Sequence, residues 1–533
     1  APPAAPVAPF CLYGAVAALW VLARSGHPDR RGLLGMAEFL LGKTMRNTMD
    51  FTEGTAWPIT SLDVLANLQR ADGDFRLPAE LRDYRPPQLL PDGPRDGRFR
   101  KASPGIGDVA ARLTVWEVGV HASLSAEPLH MWARFVPRAA FEHRNLIRDQ
   151  YPRWLPDKCE TLYDHPRLRC DTVEDDITEL FRRRLPHSST SKDPIESIDD
   201  LVAEFRAIAG RRLAGVGIFL CTVAYLCLLA EGLDLPVLGY FGHPLLFMVP
   251  RDDATREDFW PRFVRMASSP NVGFAVSDPF LQMQYDYQVG SPRLPAIRTH
   301  ALYTEATHFP ERAEEVLVMD RPHECVLMCL IFRVLQQRST EPGAEFEWSV
   351  DDGRLRVASV AGYPYRFLTR ALTDRSFRTF AKFRAVVLWA YDMDLITFYE
   401  FYSMGMPMFM PSSLPKYIFQ QDHMDYDGKW AGRRYERYEP QLWPEEAASL
   451  SPFDESNLDV VRLTAGFSDY FRFPHVQYFE SIPDLLAKLP ETDFYEVVQQ
   501  MARFNKDSLV ESSNAWRALL RRTTALDRDL LHL

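Results

Sequence analysis

From about residue 112 the chain alternates short apolar runs with amphipathic stretches, and this alternation limits the fold more than any other feature. "GVGIFLC", "LPVLGYFG" and "NVGFAVS" (271–277) are apolar along their whole length, as strands covered on both faces must be. Between them lie helical patterns: "TVAYLCLLAEG" and "REDFWPRFVRMAS" (256–268), then "PFLQMQYDYQV" after the last strand. "RLTVWEVGVH" reads as an earlier strand ending at His121, followed by amphipathic helices at 172–185 and 197–210. "LPAIRTH" reads as a closing strand. Strands separated by helices, with no hairpin signal between them, mean a parallel sheet with crossover helices.

The pattern then restarts. "EEVLVMD" (314–320) is a strand, 323–338 a helix, "RLRVASV" a strand and 374–383 a helix. "RAVVLWA" (384–390), "MPMFMP" and a βα unit at 475–489 follow, and a long helical pattern over roughly 493–531 closes the chain. At 533 residues one core is not enough. The expected fold is α/β, with two Rossmann-like parallel-sheet domains facing a cleft and a C-terminal helix crossing back. The expected boundaries are an N-terminal helical and extended segment with a Pro-rich linker (1–110), a first domain (111–312), a second (313–490) and the closing helix (491–533).

Composition narrows the function. A formal charge of −11 argues against a general nucleic-acid binder, which would carry a basic stripe. The seven cysteines form no CxxC and support no disulfide framework; Cys325 and Cys329 sit four apart in a helical pattern, so that pair is expected as buried core thiols rather than a metal pair. The chain has no N-x-Ser/Thr acceptor, which disfavours long residence in a secretory lumen. The apolar stretch 213–230 is long enough to span a membrane, but Glu231 and a second strand follow, so strand-helix-strand is expected. Membrane association is expected only through residues 10–23, where a remnant anchor is the alternative to a packing helix. No P-loop, GxSxG, GxGxxG or HExxH stands in the chain, which thins the case for ATPase, esterase, dehydrogenase or metalloprotease.

The densest chemical address is "FYEFYSMGMPMFMPSS" (398–413). It predicts a helix from Thr397 to Met404 with Glu400 in its first turn, ended by Gly405 in the left-handed conformation, before Pro407 leads into a strand. Glu400, Gly405 and Pro407, set between two buried strands, resemble the E-A-x-x-x-G-x-P donor-site motif of GT-B glycosyltransferases. Phe401 stands where that motif has a small residue. The resemblance implies that Glu400 holds the ribose of a nucleotide sugar, with Ser403, Gly405 and Pro407 beside it. It also implies that Asp392, eight positions earlier, approaches the transferred sugar as a catalytic residue. Arg366, Arg370, Lys382 and Arg384 are candidates to neutralise the donor diphosphate.

On the acceptor side, "LGYFGHPLLFMVP" places Gly239, Gly242 and His243 after a strand, and a neutral imidazole can act as a base near neutral pH. His243 is the candidate catalytic base, against a structural role in its loop. His121 and His300 stand at comparable strand ends and are candidate cleft-lining residues. Asp278, before Pro279, reads as a helix N-cap.

Asp-x-Asp pairs (Asp72/Asp74, Asp392/Asp394, Asp425/Asp427) are weak metal signals in an acid-rich chain, and "DHMDYDGKW" (422–430) lacks the spacing of a calcium loop. No metal or cofactor is expected. The expected partners are a nucleotide-sugar donor and a glycan, protein or lipid acceptor. The resulting expectation is a glycosyltransferase, with two alternatives: a sugar-nucleotide epimerase or hydrolase, or an inactive glycan- or partner-binding protein of the same fold.

Overall fold

The computed structural model describes residues 113–119, 121–135, 141–145, 177, 180, 198–213, 217–233, 235–250, 252–290, 294–319, 346–351, 354–359, 363–369, 374–388, 390, 393–412, 451–453, 463–480 and 482–524. Residues 1–112, the predicted helix at 323–338, Asp392, Arg370 and the 422–430 stretch lie outside them.

The first half is a five-stranded sheet: β1 (Leu113–Val118), β2 (Phe141–Asn145), β3 (Gly217–Cys221), β4 (Val237–Phe241) and β5 (Val272–Val276). Every pairing is parallel, in the order β2-β1-β3-β4-β5. β3, β4 and β5 are buried at every residue, as their unbroken apolar runs require. Around the sheet lie α1 (Ala122–Phe135), α2 (Ile198–Leu213), α3 (Ala224–Cys227), α4 (Asp253–Ala267) and α5 (Pro279–Val289). Asp252 caps α4 by accepting from the Thr255 amide, and Asp278 caps α5 by accepting from the Leu281 amide, both at 2.8 Å.

The second half holds β6 (Arg312–Met319), β7 (Phe346–Asp351), β8 (Arg354–Ser359), β9 (Arg366–Thr369), β10 (Phe383–Leu388), β11 (Met408–Pro411) and β12 (Gln477–Phe479). Its main sheet, again wholly parallel, runs β9-β6-β10-β11-β12. This repeats the order of the first half: the second strand of the set outside the first, then the third, fourth and fifth. Its helices are α6 (Phe377–Phe380), α7 (Ile396–Ser403), α8 (Asp469–Arg472), α9 (Ile482–Glu491) and α10 (Phe494–Thr524). The protein is thus an α/β molecule with two Rossmann-like parallel sheets.

α10 crosses back as expected. Its first residue, Phe494, packs on Phe409 of β11, and its middle packs Phe504 on Tyr402 of α7. Its last turns place Trp516 against Trp132 and Tyr240, and Leu519 and Thr523 against Gly273, all in the first half. One hydrophobic cluster contains residues of both halves, among them Leu124, Tyr240 and Ala275 with Phe398, Tyr402 and Met408. Over this stretch the expected cleft is therefore a packed seam.

Several element expectations change. Leu294–His300 makes one isolated parallel bridge, Val276 to Ala296, rather than a strand. "RLRVASV" pairs antiparallel with β7, and only Asp352 and Gly353 separate the paired Asp351 and Arg354. Asp-Gly is a strong hairpin signal. The strand that belongs to the main sheet there is β9. The helix expected over 374–383 is the single turn α6. The helix expected to end at Gly210 runs through it to Leu213. The stretch 213–230 divides into β3, α3 and a 3-10 turn at Leu228–Ala230. Among the described residues no helix is long and apolar enough to cross a membrane. Cys221 and Cys227, for which the sequence supports no pairing, form a disulfide with a Cα–Cα distance of 5.4 Å.

Candidate active site

In a parallel sheet all carboxyl ends lie on one edge, and ligands of open α/β sheets bind outside that edge. In the first half the edge carries Gly119 and His121 after β1, Thr222 after β3, His243 after β4, and Ser277 and Asp278 after β5. The register holds them in a row: the Thr222 amide donates to Val118 O at 3.2 Å, and the Ser277 amide to Phe241 O at 2.8 Å. The corresponding edge of the second half carries Ala390, Met393 and Asp394 after β10. The two edges meet. Ser277 Oγ donates to Asp394 Oδ2 at 2.9 Å, and Ser123 Oγ, in the first turn of α1, donates to Glu400 Oε1 at 3.0 Å.

Glu400 is 5% exposed and sits in the second turn of α7, not the first, because the helix begins at Ile396. Its Oε1 accepts a second hydrogen bond, also 3.0 Å, from Tyr303 OH. Tyr303 belongs to a 3-10 turn (Leu302–Thr304) in the segment joining the halves. The entry to α7 is fixed from outside: the Leu395 amide donates to Tyr470 OH at 2.6 Å and Ser468 Oγ to Met393 O at 2.7 Å.

Gly405 has φ +74°, and a Cβ there would meet nothing closer than Val498 at 3.9 Å, so backbone conformation rather than space demands glycine. Pro407 O accepts from the Val386 amide, at the entry to β11. Ser403, Gly405 and Pro407 therefore lie at the end of α7 away from the carboxyl end of β10, and they build the return turn. Three of the four basic candidates are also at the wrong end. Arg366 opens β9 and pairs with Glu314 at 3.1 Å; Lys382 precedes β10 and pairs with Glu311 at 3.0 Å. Arg384, second in β10, lies over the Phe494 ring at 4.2 Å. Residues that open a parallel strand stand at its amino end, opposite the ligand edge, and that order was available from the sequence.

His121 and His243 do come together, half-buried, with ring centroids 5.8 Å apart in an edge-on arrangement. Phe247 packs on His243 at 4.2 Å, and Tyr285 OH donates to the His243 carbonyl at 3.0 Å. The two glycines nearby are packing residues. A Cβ on Gly239 would come within 2.5 Å of Phe241, and one on Gly242 within 2.3 Å of Leu124. His300 is buried, with Nε2 3.0 Å from Ser512 Oγ of α10. Burial, then the Arg298 charge, lowers its pKa to about 3, so it is neutral at physiological pH and anchors α10 rather than lining an open site.

Several residues at the seam were not anticipated. Glu117, inside β1, is fully buried and accepts from Ser125 Oγ at 2.6 Å. A Cβ on Gly119 would lie within 2.7 Å of Ser125 Oγ, Glu117 Oε1 and Thr222 Oγ1, so three side-chain oxygens converge on this glycine. The Thr222 hydroxyl is buried without a hydrogen-bond partner. This polar knot sits at the β1/β3 boundary, where the strand order reverses. Its signal in sequence was a carboxylate within an otherwise apolar strand.

Glu127 of α1 is fully buried and accepts the amides of His300 and Ala301 at 2.8 and 2.7 Å; burial pushes its pKa up to about 7 against the pull of those amides. Asp278 caps α5 as expected, and burial followed by the charges of Asp394 and Asp469 holds its carboxyl well above the usual range. Asp469 is matched by Arg298, through contacts of 3.2 and 3.3 Å, and by Tyr399 OH at 3.1 Å. Among the described residues no group of three or more His, Cys, Asp or Glu side chains could hold a metal ion.

No family model matches the chain, and no curated protein does. Two solved structures are similar in outline. The glycotransferase of kitacinnamycin is 13% identical with a TM-score of 0.37, over 77% of this chain and 98% of that one. An O-GlcNAc transferase mutant from Thermobaculum terrenum is 13% identical with a TM-score of 0.29, over 98% of this chain and 87% of that one. Likeness at this level carries no argument about function, so any functional reading rests on the residues at the seam.

Proposed function

We propose that the protein is a metal-independent glycosyltransferase that moves a sugar from a nucleotide sugar to an acceptor hydroxyl at the seam between its two sheets. The observation that carries this reading is Glu400. It has the E-x4-G-x-P spacing, it faces the carboxyl edge of the first half, and its carboxylate accepts hydrogen bonds from hydroxyl groups. A nucleotide ribose offers the same kind of donor. In this reading Asp392, just before Met393 at the β10 edge, approaches the donor sugar.

The acceptor oxygen attacks the anomeric carbon, forming the new C–O bond, as the bond to the diphosphate oxygen breaks. The acceptor proton passes to an imidazole of the His121/His243 pair, with His243 the first candidate. The nucleoside diphosphate leaves with the bonding electrons. Since Arg366, Lys382 and Arg384 stand at the far strand ends, Arg370, which follows the last residue of β9, and main-chain N–H groups at the start of α7 are the candidates to meet it.

A thermal-shift panel of UDP- and GDP-sugars tests this reading. At least one donor is expected to raise the unfolding temperature of the wild type and to leave Glu400→Ala unmoved. If none stabilises the wild type or a variant, the reading is wrong. Turnover products sort the rest: a glycosylated acceptor supports transfer, whereas free sugar or an epimer assigns a hydrolase or epimerase. Binding without turnover assigns a binding protein. His243→Ala retaining full transfer would move the base to His121.

A further inference from the structure

Glu400 is covered by the protein itself. One of its oxygens, Oε1, takes both the Ser123 and the Tyr303 hydroxyl, each at 3.0 Å. The two donors come from different places: Ser123 from the first half's α1, Tyr303 from the joining segment. Two hydroxyls on one carboxylate is also what a ribose diol would present. A carboxylate offers about four acceptor positions on its two oxygens, so what bars a ligand diol is cover: Glu400 is 5% exposed and Tyr303 fully buried, and a diol reaches the carboxylate only where these covering groups move aside.

From this we infer a self-occupied donor site: Ser123 and Tyr303 stand in for the ribose hydroxyls, and a nucleotide binds only by displacing them and parting the seam at Glu400. The inference rests on the donor-site reading of Glu400 given above. It predicts the reverse of ordinary binding residues, because removing either hydroxyl tightens nucleotide binding. Tyr303 is the larger of the two stand-ins and is fully buried. The turn that carries it is bounded by Ala301 and Glu305, two non-glycine residues in the left-handed region at φ 45° and 44°, so its ends are held in a conformation that side chains resist. Glu127 holds Ala301 through its amide, which fixes one end of that turn while the Tyr303 side chain reaches Glu400.

The test is calorimetric titration of wild type, Ser123→Ala, Tyr303→Phe and Glu400→Gln with UDP, GDP and their 2′-deoxy forms. Far-UV spectra and thermal unfolding confirm that each variant folds. Ser123→Ala and Tyr303→Phe are each expected to bind the preferred ribonucleotide about three- to tenfold more tightly, the factor that one net hydrogen bond represents. The gain is expected to shrink with the 2′-deoxy form and to vanish when Glu400→Gln is added. If the wild type binds and the two hydroxyl variants bind equally or more weakly, the self-occupied site is wrong while the donor-site reading stands.

A ligand-free readout separates the remaining case. A double-mutant unfolding cycle between Ser123→Ala and Glu400→Gln reports whether the contact exists in solution. Coupling without any nucleotide binding, in any variant, would make the contact purely structural and would sink both the reading and the inference. Binding that appears only in Ser123→Ala or Tyr303→Phe would support both.

Discussion

Glu127 and His300 are joined by one hydrogen bond, from the His300 amide to Glu127 Oε1, and their ionisations act on stability in opposite directions. The Glu127 pKa is raised from 4.5 to about 7, so folding favours its protonated form, and that stability is lost as pH rises from 4.5 to about 7. The His300 pKa is lowered from 6.5 to about 3, so folding favours the neutral ring, and stability is lost as pH falls from 6.5 to about 3. Between pH 4.5 and 6.5 the two slopes offset. Glu127→Gln removes one of them. The unfolding free energy of the variant minus that of the wild type should therefore climb by about 1.4 kcal/mol per pH unit from pH 4.5 to 7, then level off. Denaturant titrations at half-unit steps measure this, and a flat difference would show that the buried carboxyl is not titrating there. Neither residue's environment was legible in the sequence: His300 is expected there to line a cleft, and periodicity does not say which partner covers Glu127 or the end of an extended run.

At the scale of elements, β3, β4 and β5 were legible because parallel strands covered on both faces must be written as unbroken apolar runs, whereas β2, which reads FEHRN, carries no such signal. Asp352-Gly353 announces the β7–β8 hairpin, although β8 taken without its partner has the length of a sheet strand. The stretch from α7 to β11 was read nearly to the residue, and its turn is a sharp test. Gly405→Ala places a side chain at φ +74° with no steric neighbour, so its cost is that of the backbone alone, about 1–2 kcal/mol. Gly239→Ala has ordinary backbone but would push on Phe241 and Phe274, at a cost of about 1–3 kcal/mol. Gly405→Asn should recover part of the first loss, because Asn tolerates the left-handed region, whereas no substitution larger than Gly should recover the second. Chemical denaturation of the three variants checks the distinction. The motif thus serves two ends of one helix: Glu400 at the seam, and Gly405 with Pro407 at the opposite turn.

Across the whole molecule the doubling of the parallel α/β unit came from the alternation of runs, but the strand order within each sheet and the contact between halves did not. Sequence periodicity reports which face of an element is apolar and is silent about which partner covers it. α10 is the case in point. At 31 residues it is about 46 Å long, enough to reach from Phe409 of β11 at its first residue to Gly273 of β5 near its last. Its middle is pinned to α7 by Asn505 Nδ2, which donates to Tyr402 O at 3.0 Å, and Ser512 bonds to His300 of the joining segment. The helix therefore ties α7 to both sheets. Trp516 is its main anchor on the first half, fully buried between Trp132 and Tyr240. Trp516→Ala should cost about 3–5 kcal/mol, and the loss should be local at first. Amide exchange should rise in β4, β5 and the last two turns of α10, while β10, β11 and the Phe494 end keep their protection. If protection fell equally in both sheets, the halves would unfold as one cooperative unit, and the seam cluster rather than α10 would be what holds them together.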